Sequence, residues 1–296
     1  MKKYLFLLIL MAVCTGLFAQ GSNLYVKSIK DWHAKRENEL KQPNGWLNLE
    51  GLFWLHKGVN TFGKAAANDC KYQHREFADY LGAFLFNGDS VEWVNKNNNH
   101  VNIDNNEIKG EQPITVYKQH GIAKIMDWSH FSWSVIQRED KVGIRFRNLK
   151  AATLTAFKGI QRFPVDSNWR LKAVLVQPAQ NLLMITNVLG QTTAQKSAGR
   201  LLFNIDNKEY TLDVIDEGGP NLFIVFADET AGKTTYGAGR FIDIPKPDAN
   251  GNTEIDFNKA YNPPCAFTAF ATCPLPPAQN RLKVSITAGE KNYGHH

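Results

Sequence analysis

Apolar residues keep a helical spacing only near the start of this chain; further on they alternate with polar ones. Val26, Ile29, Trp32 or His33, Arg36 and Leu40 fall on one face of a predicted helix. Ser22 is placed to cap its start, and Pro43-Asn44-Gly45 stops it. Gly45 to Leu55 follows, dense in aromatic residues, and reads as a cover over a sheet with Trp46, Phe53 and Trp54 buried. From about Ala83 the period becomes two. Strands are predicted over 83–86, 90–94, 114–117, 131–137, 141–147, 171–177, 182–188, 200–205, 209–215, 222–226 and 282–287. Turn residues separate them, among them Asn87-Gly88-Asp89, Asp206-Asn207 and Glu217-Gly-Gly-Pro220. Many short strands without long intervening helices predict a mainly β fold, an antiparallel barrel-like or sandwich core with an N-terminal helix. The Asn-rich stretch 95–106 reads as a solvated hairpin excursion. No repeat and no long linker is visible, so residues 20–296 are expected to form one β-rich domain, with 20–80 as helix and aromatic cover and 81–296 as the β core.

The first residues change the picture of where the chain works. Lys2 and Lys3, the apolar run from Tyr4 to Val13 and Leu17-Phe-Ala19 read as an export signal, with cleavage expected before Gln20. The run is too short to span a bilayer, and no later segment approaches that length, so no transmembrane segment is expected after signal removal. A lipoprotein reading on Cys14 is weaker, because the residues before it are Met-Ala-Val. The mature chain is therefore expected in the periplasm or secreted. Removing Lys2 and Lys3 from 34 basic residues leaves 32 against 28 acidic ones, dispersed along the chain. That is no nucleic-acid surface.

Three cysteines survive export: Cys70, Cys265 and Cys273. An oxidising compartment permits a Cys265–Cys273 disulfide. The alternative for Cys265 is a nucleophile displayed on the rigid Asn262-Pro-Pro corner, which requires a base brought in by the fold. The spacing of Cys265 and Cys273 fits no zinc motif, and neither a metal nor another cofactor is expected.

The densest chemistry lies between Asp228 and Glu290. Gly232-Lys233-Thr234 imitates the end of a phosphate loop, but Ala227 stands where that loop needs glycine, and glycines break the segment where a helix should follow. The remaining pattern predicts a recess built by two stiff segments at one end of the sheet. Asp228, Asp256, Glu290 and Cys265 are its candidate catalytic groups. Arg240 would hold an anion, and Tyr236, Asn258, Tyr261 and Asn262 would donate or accept hydrogen bonds. For each, a plain turn or core role is the competing interpretation. Three functions follow: a hydrolase- or lyase-like enzyme on a small anionic or sugar-like molecule, a binding module using the same recess, or a structural domain whose polar block satisfies itself.

These residues also carry a resemblance. Gly45-Trp-Leu…Gly51-Leu-Phe-Trp-Leu, Gly143-Ile-Arg-Phe-Arg147, Phe226-x-Asp-x-Thr-x-Gly…Thr235-Tyr-Gly-x-Gly-Arg240, Asp256-Phe-Asn-x-Ala-Tyr-Asn-Pro-Pro-Cys-Ala-Phe267 and Cys273-Pro-Leu-Pro-Pro…Asn280-Arg-Leu resemble, over nearly the whole mature chain, the bacterial and archaeal family of unknown function DUF1684. The resemblance implies no activity.

Overall fold

The computed structural model describes residues 23–96, 99–177 and 180–294. Ser22 and the predicted export signal lie outside them. Helix α1 covers residues 23–41, and its inward stripe holds Ile29, His33 and Leu40, as the spacing predicts. Among the described residues no helix is long and apolar enough to cross a membrane.

The strands are β1 (Leu49–Trp54), β2 (Gly58–Gly63), β3 (Cys70–Lys71), β4 (Gly82–Phe86), β5 (Ser90–Asn95), β6 (Asn102–Ile103), β7 (Asn106–Glu107), β8 (Ile114–Lys118), β9 (Ile125–Trp128), β10 (Phe131–Arg138) and β11 (Lys141–Asn148). They continue with β12 (Arg170–Val176), β13 (Leu182–Thr186), β14 (Thr192–Ile205), β15 (Lys208–Ile215), β16 (Asn221–Phe226), β17 (Arg240–Pro245) and β18 (Asn252–Asp256). The fold is mainly β and its pairings are antiparallel except for β2 with β3. Period-two alternation locates β4, β5, β8, β10, β11, β12, β13, β15 and β16 to within two residues, finds only the second part of β14, and misses β2, β3, β6, β7, β9 and β18.

The differences are instructive. The segment from Gly45 to Leu55 is not a loose cover: β1 pairs with β11 from Leu49↔Arg147 to Trp54↔Gly143. Trp46, Phe53 and Trp54, expected to be buried, are only half-buried, because β1 is the end strand of its sheet. Residues 282–287, expected as a strand, carry no ladder, whereas 240–245, read as the end of a glycine-broken turn, form β17. The 95–106 stretch is not wholly solvated, since Val101 and Ile103 are buried.

The chain divides into two compact units, one of Leu40–Phe157 with Thr268–Ala271, the other of the remaining described residues. No linker marks the division, because the second unit is assembled from segments before and after the first. In the Leu40–Phe157 unit, a sheet ordered β1-β11-β10-β9-β6-β7 and one ordered β3-β2-β4-β5-β8 share an aromatic core. Phe62 lies at its middle, with the rings of Phe53, Phe77, Phe84, Trp93, Trp133 and Phe146 between 5.2 and 6.1 Å away.

The other unit is a sheet ordered β17-β16-β15-β14-β12-β18, nearly closed into a barrel, with β13 paired to the first part of β14. Thr253 Oγ1 donates to the Pro245 carbonyl at 2.9 Å across the seam between β18 and β17. Inside are Leu201, Phe203, Leu212, Ile224, Phe226, Ile242, Ile255 and Phe257. The C-terminal polar residues belong to this unit, and α1 docks on them.

Candidate functional site

The two stiff segments do meet, at Glu290. This side chain is 1% exposed. Arg36 of α1 donates from Nε to its Oε1 at 2.7 Å, and the Asn262 backbone N–H donates to Oε2 at 2.7 Å. Arg240 Nη1 donates to the Glu290 carbonyl at 3.4 Å. Burial raises the Glu290 carboxyl above its ordinary range, and Arg36 opposes that shift. Arg36 also bonds the Asn262 carbonyl at 2.8 Å and lies 4.3 Å over the Tyr261 ring. Tyr261 donates to Asp243 at 3.0 Å.

Arg240 points into the molecule and its guanidinium is buried against Asp228, Nη2 to Oδ2 2.8 Å. It also donates to the Ala288 and Ile286 carbonyls. Asp228 accepts in addition from the Thr230 backbone and hydroxyl and from the Ile286 N–H. This pair therefore pins the strandless 282–290 segment to the start of β17. Isolated residues here could not hold charges out of water; the ion pair and its carbonyl partners make it possible.

Asp256 and Asn258 form a third knot. Asp256 caps the 3₁₀ turn Phe257–Lys259, and the Tyr25 hydroxyl of α1 sits 3.0 Å from both its oxygens. Asn258 bonds Tyr25, Asp166 and Asp256 through Nδ2, accepts the Asp166 N–H, and offers its carbonyl to His33 Nε2 at 3.1 Å. Burial lowers the His33 imidazole to about 4, so it is neutral and donates to that carbonyl.

Cys265 and Cys273 lie side by side, both as thiols, with the Cys265 N–H 3.1 Å from Cys273 Sγ. The hydrogen bond with Cys273 holds the Cys265 thiol below its usual range. Tyr236 is beside them: burial raises its hydroxyl first, and the two sulfurs raise it further. Cys70 is in the other unit, where burial pushes its thiol up to about 12.

All ten residues predicted from sequence are thus accounted for, and the structure brings most of them into three adjoining knots. Within those knots the buried polar atoms left without a partner are Arg240 Nε and Asn262 Oδ1. The sequence reading missed the other half of each knot. Tyr25, His33, Arg36 and Glu37 come from the inward face of α1, and Glu37 accepts from the Ile160 N–H and Arg162. Polar residues on a predicted inward stripe are the signal that could have found them.

Concave surface lies elsewhere in the unit. An open groove of about 1110 Å³ runs along the outer face of β12, β14 and β18. A more enclosed recess of about 410 Å³ is lined by Gln180, Leu182, Leu183, Met184, Ser197, Gly199, Arg200, Asp213 and Gln279. Arg200 and Asp213 were also missed, although the two-residue turn at Asp206-Asn207 fixes their pairing. Both turn residues have positive φ, and counting outward from Ile205↔Lys208 places Arg200 opposite Asp213. Among the described residues no group of three or more His, Cys, Asp or Glu is placed to hold a metal ion.

Comparison with known proteins adds little about activity. No curated protein matches the chain. An uncharacterized protein of Haloarcula marismortui, solved by solution NMR, is similar at 29% identity, covering 48% of this chain and 80% of that one with a TM-score of 0.40. Residues 155–291 match the family described as "Protein of unknown function (DUF1684)". The match begins after the Gly45–Leu55 and Gly143–Arg147 blocks, so it is shorter than the near-complete resemblance those blocks implied. The matched segment, residues 155–291, supplies Asp228, Arg240, Asp256, Asn258, Asn262 and Glu290 and lines both concave surfaces, while Tyr25, His33 and Arg36 lie outside it.

Proposed function

We propose that the protein is an exported binding module for a small molecule, and that its C-terminal polar block is the scaffold of that module and not a catalytic centre. One observation carries the reading: each carboxylate put forward as acid or base is already closed by internal donors, while recesses open to solvent lie on other faces of the same unit. Asp228 is saturated by Arg240, Thr230 and Ile286; Asp256 by Tyr25 and Asn258; Glu290 by Arg36 and Asn262. A general acid or base must reach a substrate proton, and these groups reach only the protein. Export rests on the N-terminal pattern of Lys2, Lys3 and the apolar run to Val13.

The test is a thermal-shift screen of small metabolites on the mature chain, with each hit followed by mass spectrometry of the ligand. The expected result is stabilisation with the ligand recovered unchanged. Conversion of a hit to product, lost in Asp228→Asn, Asp256→Asn or Glu290→Gln variants that remain folded, would restore the enzyme reading.

A further inference from the structure

We infer that the recess beside β14 is a binding site for small aliphatic monocarboxylates, gripped by Arg200 with the tail against Leu183. This rests on the binding-module reading and gives it a place and a ligand class.

The recess exists because one strand edge serves two partners. Residues Thr192–Lys196 of β14 pair with β13, and Arg200–Phe203 of the same strand pair with β12. Between them the ladder to β15 slips at Ser197/Gly199, a β-bulge. Gly199 has φ +137°, and a Cβ there would lie 2.2 Å from the Val176 carbonyl oxygen. Only glycine permits that backbone and that approach. Bulges redirect side chains and end pairings, and here the gap between the two partner strands becomes the recess.

Its polar end is preorganised. Asn280 accepts the Asp213 N–H at 2.7 Å and donates to the Asp213 and Val225 carbonyls at 2.9 Å, which fixes the backbone of Asp213. The carboxylate of Asp213 then takes Arg200 Nε at 2.8 Å, Arg200 Nη2 at 3.3 Å and Gln279 Nε2 at 2.9 Å. A guanidinium held side-on in this way has its other edge, Nη1 with the second Nη2 hydrogen, in a fixed orientation. The Arg200 side chain is 48% exposed, and Arg200 lines the recess. A planar carboxylate matches that edge with two parallel bonds. Gln279 has a second amide hydrogen for the same oxygen pair. Because Asp213 already balances the arginine, the site suits a single negative charge and disfavours a phosphate dianion.

The other end is apolar and open. Leu183, half-buried and paired with Gln195, lies on the same face of the hairpin as Ser197 and Arg200, whereas Leu182 and Met184 take the opposite face through Lys196 and Ala194. An apolar side chain beside a fixed ion pair gives the recess the two halves of an amphipathic ligand's environment.

Octanoate is the probe, with octanol and octylamine as matched controls, titrated calorimetrically into the whole mature chain while the methyl signals of Leu183 are followed by NMR. Octanoate should bind and shift those methyls, and the controls should be weaker by about tenfold or more, the worth of a charge-assisted pair. Arg200→Gln should lower octanoate affinity by a similar factor. If that variant fails to fold, Arg200→Lys, which keeps the charge and loses the planar fork, should lower octanoate affinity and leave octanol unaffected. Equal binding of octanol and octanoate, or octanoate binding indifferent to both substitutions, would overturn the site. Should metabolites stabilise the protein while octanoate does not bind, the binding-module reading stands and this site falls; should nothing bind at all, both fall.

Discussion

At the scale of single residues, a buried histidine sets the acid sensitivity of the molecule. His33 is 2% exposed and its imidazole is lowered to about 4 from an ordinary 6.5. The folded state therefore refuses a proton that the unfolded chain accepts below pH 6.5. Stability is fully present above that pH and is lost as pH falls towards 4, by about 3 kcal/mol in all. Denaturation curves between pH 7 and 4 should show this slope, and His33→Gln, which keeps a donor for the Asn258 carbonyl, should flatten it. An unchanged slope in the variant would place the acid sensitivity elsewhere. Arg240 makes a second prediction. Arg240→Ala leaves Asp228 charged and unpaired in the interior and should cost about 3–5 kcal/mol in urea denaturation. Removing both charges, as Arg240→Met with Asp228→Leu, should recover most of that loss. A variant Arg240→Ala as stable as the parent would mean that the guanidinium does not hold the 282–290 segment.

At the scale of elements, the C-terminal segments are stiff where Pro263, Pro264, Pro274, Pro276 and Pro277 restrict the backbone, and this stiffness aligns Cys265 with Cys273. In an oxidising compartment the two thiols should join, closing a short loop and stabilising the fold by about 2.5 kcal/mol in the chain-entropy estimate. Protein isolated from the exported fraction should weigh two hydrogens less than its thiol form, and reductant should restore the mass and lower the melting temperature. Full thiol content in that fraction would show that the pair remains reduced. Elements also explain what the sequence left unread. Alternation found β10 and β11 because one face of each meets the aromatic core and the other does not. It could not find β1, whose aromatic residues run together, nor β17, whose start was masked by the glycines before it. Helix α1 was legible as a helix, but the purpose of Tyr25, His33 and Arg36 on its inner face was not. Their partners lie more than 200 residues away, and no local pattern encodes that separation.

For the whole molecule, the N-terminal pattern predicts where the chain ends up. Expressed in full in a bacterial host, it should appear in the exported fraction beginning at Gln20, as read by terminal sequencing. Cytoplasmic protein retaining Met1 would sink the export proposal. The sequence by itself determined the mainly β class, the helix before it, the turn positions and the dense polar block near the C-terminus. Each follows from periodicity or from backbone restriction, which act over a few residues. Only the tertiary structure decided that this block is a set of closed knots completed by α1, that the chain divides into two units, and that one of the two concave surfaces described lies at a strand bulge beside Arg200 and Asp213. Whether a carboxylate is available to a ligand depends on which donors surround it, and those donors are brought by chain segments whose proximity exists only after folding.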